Sequence, residues 1–188
     1  MSNARLAPDF LFEASWEVCN KVGGIHTVIS TKAQTVTRKF GDRYILIGPD
    51  LSHEGTNPEF EEDQALLKAW RQAVYSEGLR IRIGRWKIKG EPLAVLVDFT
   101  SLIPRKDEIL TKLWESYHVD SLSGQWDYIE PVLFGYAAGT VIASYVKTFC
   151  SSTEKIVAHF HEWMSAAGGL YLRKYAPYVA TVFTTHAT

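Results

Sequence analysis

Apolar residues recur along this chain in two periods, and the alternation between them predicts its architecture. Residues 10–15 (FLFEAS) read as a short buried strand. Val22, Ile25, Ile29, Ala33, Val36 and Phe40 then recur at steps of three and four, the stripe of an amphipathic helix, and Gly41 stops it. Residues 44–47 form a second strand closed by Gly48 and Pro49. Strand, helix and strand in such short succession make a βαβ unit, whose crossover joins parallel strands.

An acidic stretch at 59–63 leads into a helix through Trp70, and residues 79–83 alternate as a half-buried strand does. Turn residues at 87–92 then separate it from a continuous apolar strand at 93–97, ending at Asp98, so a hairpin is expected here. Residues 100–127 hold Pro104, a charged helical segment over 107–117 and a Ser- and Gly-containing stretch; they read as a long surface excursion. From Pro131 the helical pattern returns, with Leu133, Tyr136, Ala137, Val141 and Tyr145 on one face and Gly135 and Gly139 allowing a neighbour close. A strand from Lys155 runs into His159-Phe160-His161-Glu162, a helix covers 163–175, Pro177 marks its exit, and 179–183 is the last strand. With no repeat or linker, residues 9–188 are expected to form one α/β domain, a mostly parallel sheet flanked by helices. Residues 1–8 read as a disordered tail or vector-derived remnant.

Composition narrows the function. The 188 residues carry 20 Lys+Arg against 21 Asp+Glu, a net charge of −1. That balance lacks the basic excess of a phosphate-neutralising nucleic-acid binder and argues against adhesion to an acidic membrane. The N-terminus has no apolar signal core, and no stretch approaches the ~18 continuous apolar residues of a bilayer span. Cys19 and Cys150 are far apart and in no metal-like spacing, which argues against a disulfide framework or structural zinc and makes a reducing cytosol the default. Six Trp and nine Tyr could suggest a carbohydrate platform. Trp16, Trp70, Trp114, Trp126 and Trp163 are scattered, however, so core packing is expected for most of them.

In open α/β sheets, ligands bind beyond the carboxyl ends of the strands. Lys21-Val22-Gly23-Gly24 follows the first strand and opens a helix, where glycine amides and the helix dipole can receive an anion beside the lysine; a simple tight turn is the alternative. This is neither a dinucleotide fingerprint nor a P-loop, which disfavours an oxidoreductase. His159 and His161 share one face of a strand and could hold a metal together, or be buried and hydrogen-bonded. Glu162 lies at a strand–helix junction, where a carboxylate caps a helix favourably. His186 follows the last strand and could donate to a substrate hydroxyl or carry a proton. Lys21, Glu162 and His186 should therefore meet on one rim.

Three phrases together carry a resemblance: residues 12–25 (FEASWEVCNKVGGI), residues 159–163 (HFHEW) and residues 183–188 (FTTHAT). They resemble the N-terminal half of animal and fungal glycogen synthases, glycosyltransferase family 3, from about Phe10 to the end of the chain. The resemblance implies a retaining glucosyltransferase that moves glucose from UDP-glucose to the non-reducing end of an α-1,4-glucan in the cytoplasm. It implies the N-terminal, Rossmann-like half of a glycosyltransferase B architecture, with no metal or other cofactor. Lys21, Gly23 and Gly24 match the loop that approaches the donor's diphosphate and glucose, His186 the histidine at the donor sugar, and Glu162 an acidic position on the sugar and acceptor side. His161 is expected behind them. The Arg/Lys pair for the diphosphate, most of the uridine pocket and a further glutamate belong to a C-terminal domain that this sequence lacks. An end at Thr188 is therefore expected to mark a piece of a longer protein, inactive alone, with room for a homo-oligomer in the whole. His26 departs from the animal pattern, where a Tyr is usual.

Two other readings stand beside this one. A metal-dependent hydrolase using His159 and His161 would need further ligands from His53, His118 or Asp98. A non-catalytic glucan-binding domain would need only the fold.

Overall fold

The alternation in the sequence becomes strands and helices in a computed structural model of the chain, which describes residues 7–52 and 56–186. In chain order these are β1 (Phe10–Ala14), α1 (Gly24–Phe40), β2 (Tyr44–Pro49), β3 (Phe60–Glu62), α2 (Lys68–Ser76), β4 (Arg80–Trp86), β5 (Leu93–Asp98), α3 (Lys106–Tyr117), α4 (Trp126–Phe149), β6 (Ile156–His161), α5 (Trp163–Tyr175) and β7 (Ala180–Thr184). Short 3-10 helices cover Gly41–Arg43 and Phe99–Arg105. The strands form one sheet in the order β3-β4-β5-β2-β1-β6-β7. The β4–β5 hairpin and β3 are antiparallel; every other pairing is parallel. The chain leaves β1 toward β2 on one side and later returns to β6 on its other side. β1 and β6 thus flank the point where strand order reverses, the position at which α/β sheets open a ligand crevice.

Strand alternation sorts side chains onto two unlike faces. Phe10, Phe12 and Ala14 of β1, with Ile156, Ala158 and Phe160 of β6, join the large core under α2 to α5. There α4 and α5 touch almost backbone to backbone. A Cβ on Gly139 would stand 2.8 Å from the carbonyl oxygen of Gly168, and one on Gly168 would stand 2.5 Å from the Phe160 ring. On the opposite face α1 lays Ile25, Ile29 and Ala33 against Tyr44, Leu46 and Leu96. Glu13, His159 and His161 alternate to this second face.

The structure corrects the sequence reading in several places. Helix α1 begins at Gly24, so Val22 lies outside it and is 70% exposed. The acidic stretch contains the edge strand β3, and the expected helix begins only at Lys68. The supposed surface excursion buries Leu102, Ile109, Leu110 and Leu113 in the core. Helix α4 starts at Trp126 with Pro131 inside it. By length and composition α4 could cross a membrane, yet 78% of its most apolar window is buried within the protein, as in a core helix. Trp70 is buried and Trp16 packs against the core, but Trp114, Trp126 and Trp163 are nearly half exposed, against the core role expected of most tryptophans. Of the expected N-terminal tail, residues 1–6 lie outside the described residues, as does His53.

Candidate functional site

The carboxyl ends of β1, β6 and β7 lie side by side, because Ala14 pairs with Phe160 and His161 with Thr184. The loop after β1 leads to Lys21, Gly23 and Gly24; β6 ends in His161 and Glu162; His186 follows β7. All six sequence-predicted residues therefore sit at one edge of the sheet.

At the start of α1 the backbone is already engaged. The buried Glu17 carboxylate accepts the amide of Gly23 at 2.6 Å and that of His26 at 3.0 Å. These are donors that a helix leaves unpaired at its first turn, and a negative group there also complements the helix dipole. An anion arriving at Gly23 would have to share or replace this carboxylate. Gly24 is different: a Cβ there would meet nothing within 4 Å, and Lys21 beside it is exposed. The open backbone on this loop is at Gly24. His26 Nε2 is 2.8 Å from the Glu59 carboxylate, which also accepts Trp86 Nε1–H at 3.0 Å.

Glu162 has φ 62° and ψ 167°. That backbone region is essentially reserved for glycine, and a non-glycine residue held there costs on the order of 1–3 kcal/mol. The surroundings enforce it: the Glu162 amide donates to the Thr184 carbonyl at 2.9 Å, and its own carbonyl accepts the Ser165 amide at 3.1 Å. Its side chain does not cap α5, contrary to the role expected for a carboxylate at that junction. Instead it accepts the backbone amide of His186. Strain of this kind gathers at functional positions, where the rest of the fold over-determines it.

Behind these residues lies a buried polar chain. Glu13, 1% exposed on β1, accepts Tyr44 Oη–H at 2.5 Å and Lys32 Nζ, and lies 2.5 Å from His161 Nε2. His161 Nδ1 is in turn 2.8 Å from His186 Nε2. Burial pushes the Glu13 carboxyl upward, but the hydrogen bond from His161, the Lys32 charge and the Tyr44 hydroxyl outweigh it and hold the group at about 2. Burial and then the Glu13 charge push the Tyr44 phenol upward. His159, bonded through Nε2 to Thr184 Oγ1 at 2.8 Å, is pushed down to about 4 by burial and by the neighbouring His161.

Glu13, His159 and His161 bring three ligand-type atoms within 4.8 Å of one another. His161 Nε2 is committed to Glu13 at hydrogen-bond distance, and the Lys32 ammonium sits on the same carboxylate, so a cation would have to displace one and repel the other. Among the described residues, the supporting ligands expected of a hydrolase do not gather. Asp98 ends β5 and accepts the Thr100 amide, and His118 follows the last residue of α3. Sequence reasoning missed Glu13, Glu17, Lys32 and Tyr44; a glutamate inside an apolar strand was the signal for the first.

Residues 13–188 match the family described as glycogen synthase, a span that includes each of these side chains. The chain belongs to the glycogen synthase family. It is 37% identical over 182 residues to glycogen (starch) synthase of Neurospora crassa and 34% identical over 188 residues to that of Caenorhabditis elegans. The human liver form is 37% identical over 183 residues. These matches cover 95%, 99% and 95% of this chain, but 25%, 28% and 25% of those proteins. The chain thus spans about a quarter of the length of these glycogen synthases. A solved structure, the catalytic domain of Starch Synthase IV from Arabidopsis thaliana bound to ADP and acarbose, is similar with a TM-score of 0.48 and 18% identity, covering 94% of this chain and 34% of that one.

Proposed function

We propose that this chain is the N-terminal, acceptor-side part of a retaining glucosyltransferase that moves glucose from UDP-glucose to the non-reducing end of an α-1,4-glucan. In this reading it faces a second, nucleotide-binding domain across a cleft, in the cytoplasm. The observation that carries the reading is the strained Glu162, its carboxylate on the His186 amide, at the carboxyl edge where strand order reverses. Departure of a glycosyl group leaves positive charge on the sugar and negative charge on the phosphate. Lys21 and the open backbone at Gly24 suit the phosphate end. Glu162 and His186 suit the sugar and acceptor end, where fixed polar groups hold hydroxyls in place. Gly23 contributes by letting α1 begin there, its amide being held by Glu17. No resident metal is needed, and Lys32 on the Glu13 carboxylate disfavours one.

The test is glucose transfer by the whole protein. Purified protein supplied with UDP-glucose and maltooligosaccharide should lengthen the oligosaccharide by glucose units, equally well after exhaustive chelation. Hydrolysis in place of transfer, lost on chelation and restored by a divalent metal, would favour the His159/His161 hydrolase instead. Maltooligosaccharide binding without transfer would favour a glucan-binding domain.

A further inference from the structure

We propose that Glu13 is a positioning residue for His186, acting through His161 to dictate which ring nitrogen His186 presents to the hydroxyl of a bound sugar. The sugar rests on the function proposed above; the coupling between the three side chains does not.

The argument begins with what each group can donate. A carboxylate only accepts, so the hydrogen between Glu13 and His161, 2.5 Å apart, belongs to His161 Nε2. That leaves Nδ1 of His161 facing His186 Nε2 at 2.8 Å. Two imidazole nitrogens at that distance share one hydrogen, and the rings, 27° from parallel with centroids 5.0 Å apart, meet edge to edge as such a bond requires. His186 Nε2 is therefore committed inward, and Nδ1 is the nitrogen left for a ligand. The backbone of the same residue is pinned by Glu162, so both ring and main chain are set by the end of β6. His186 itself is exposed and beyond the last residue of β7, where nothing else in its own segment would fix its ring.

Packing alone does not account for this chain. The opposite faces of the same two strands use Phe12, Ala158 and Phe160, which fill space with no polar debt. Here a carboxylate and an imidazole, each 1% exposed, are buried together and braced by Lys32 and Tyr44. Partners behind a reacting histidine commonly fix its tautomer and orientation, and their loss costs about 10- to 100-fold where it has been measured at metal sites. With His161 neutral, His186 Nδ1 accepts from a sugar hydroxyl. When the pair takes up one proton the Glu13 charge offsets it and Nδ1 donates.

Nitrogen NMR of the histidine rings in the full chain tests this without reference to catalysis. Expected in the unmodified protein are a proton on His161 Nε2 and a scalar coupling through the hydrogen bond between His161 Nδ1 and His186 Nε2. Glu13→Gln keeps the shape and an acceptor oxygen but removes the charge. It should weaken or abolish that coupling and move the ring-nitrogen resonances of His186, which Glu13 does not touch. His159, Lys32 and Glu162, the other titratable groups near His186, are unchanged in that variant. In the whole enzyme kcat should fall about 10-fold or more with KM little moved, and Glu13→Asp should recover part of it. An unchanged coupling and unchanged His186 ring-nitrogen resonances in folded Glu13→Gln, or His161 protonated on Nδ1 alone, overturn the proposal whatever the activity does. If Glu13→Gln does not fold, the coupling in the unmodified protein decides: its presence supports the proposal and its absence overturns it. A protein that shows the coupling but transfers no glucose would refute the proposed function and leave the positioning role standing.

Discussion

The two faces of the sheet around β1 and β6 are built on opposite principles. Toward α4 and α5 the strands present Phe12, Ala158 and Phe160 to helices that approach through Gly135, Gly139 and Gly168. Toward α1 the same strands present Glu13, His159 and His161: Glu13 is hydrogen-bonded to His161 and braced by a lysine, and His159 Nδ1 lies 3.6 Å from the same carboxylate. A face kept only for stability has no reason to bury a carboxylate, because desolvation consumes most of what its hydrogen bonds return. The contrast assigns packing to one face and chemistry to the other, and each can be perturbed separately.

The largest expected effect is on the packed face. Gly168→Leu forces side-chain atoms into the space held by the Phe160 ring and the Gly135 carbonyl. It should destabilise the fold by about 3 kcal/mol or more, read as a lowered urea midpoint. The matching change on the polar face, Glu13→Leu, leaves Tyr44 and His161 without their acceptor and should cost about 1–3 kcal/mol by the same measurement. If the two faces differed only in composition, the second loss would not be accompanied by a disturbance of His186.

Acid should unravel the polar face first. The folded protein holds His159 at about 4 against an ordinary 6.5, so the unfolded chain binds more protons between those values and stability falls as pH drops through that window. Glu13, held at about 2 against 4.5, adds a second fall between pH 4.5 and 2. Urea midpoints taken from pH 7 down to 4 should decline, and His159→Gln should flatten the decline above pH 4.5. A flat profile in the unmodified protein would erase the electrostatic half of the comparison.

The smallest expected effect concerns strain. Glu162→Gly places the residue suited to φ 62° at the β6–α5 junction but removes the carboxylate from the His186 amide. Thermal stability should stay level or rise by about 1 kcal/mol, while glucose transfer by the whole protein falls. A variant that lost stability and kept activity would make Glu162 a structural residue.

Much of the helical framework on both faces was legible in the sequence. The steps of four through Ile25, Ile29 and Ala33 specify α1, and the run between Trp163 and Pro177 specifies α5, because apolar period and breakers agree. Pro131 hid the start of α4: a proline reads as a first turn, yet here an earlier turn from Trp126 precedes it. β3 was hidden by its acidic residues, which an edge strand of three residues tolerates. On the polar face, motif and position brought Lys21, Glu162 and His186 to one edge. The glycine loop and the HFHE phrase carried no sign that Glu17 would occupy the Gly23 amide or that Glu162 would adopt a glycine conformation. Those facts depend on three-dimensional closure around short segments. Glu13 was visible as a lone acid in an apolar strand, but its partners come from α1, β2 and β6, which no local pattern links.

Glucose transfer from UDP-glucose by the whole protein carrying His186→Ala tests the central claim most directly. The account predicts a loss of about 100-fold or more in the transfer rate, with the urea midpoint unchanged from that of the parent. Transfer at the parent rate in a folded His186→Ala protein would contradict it.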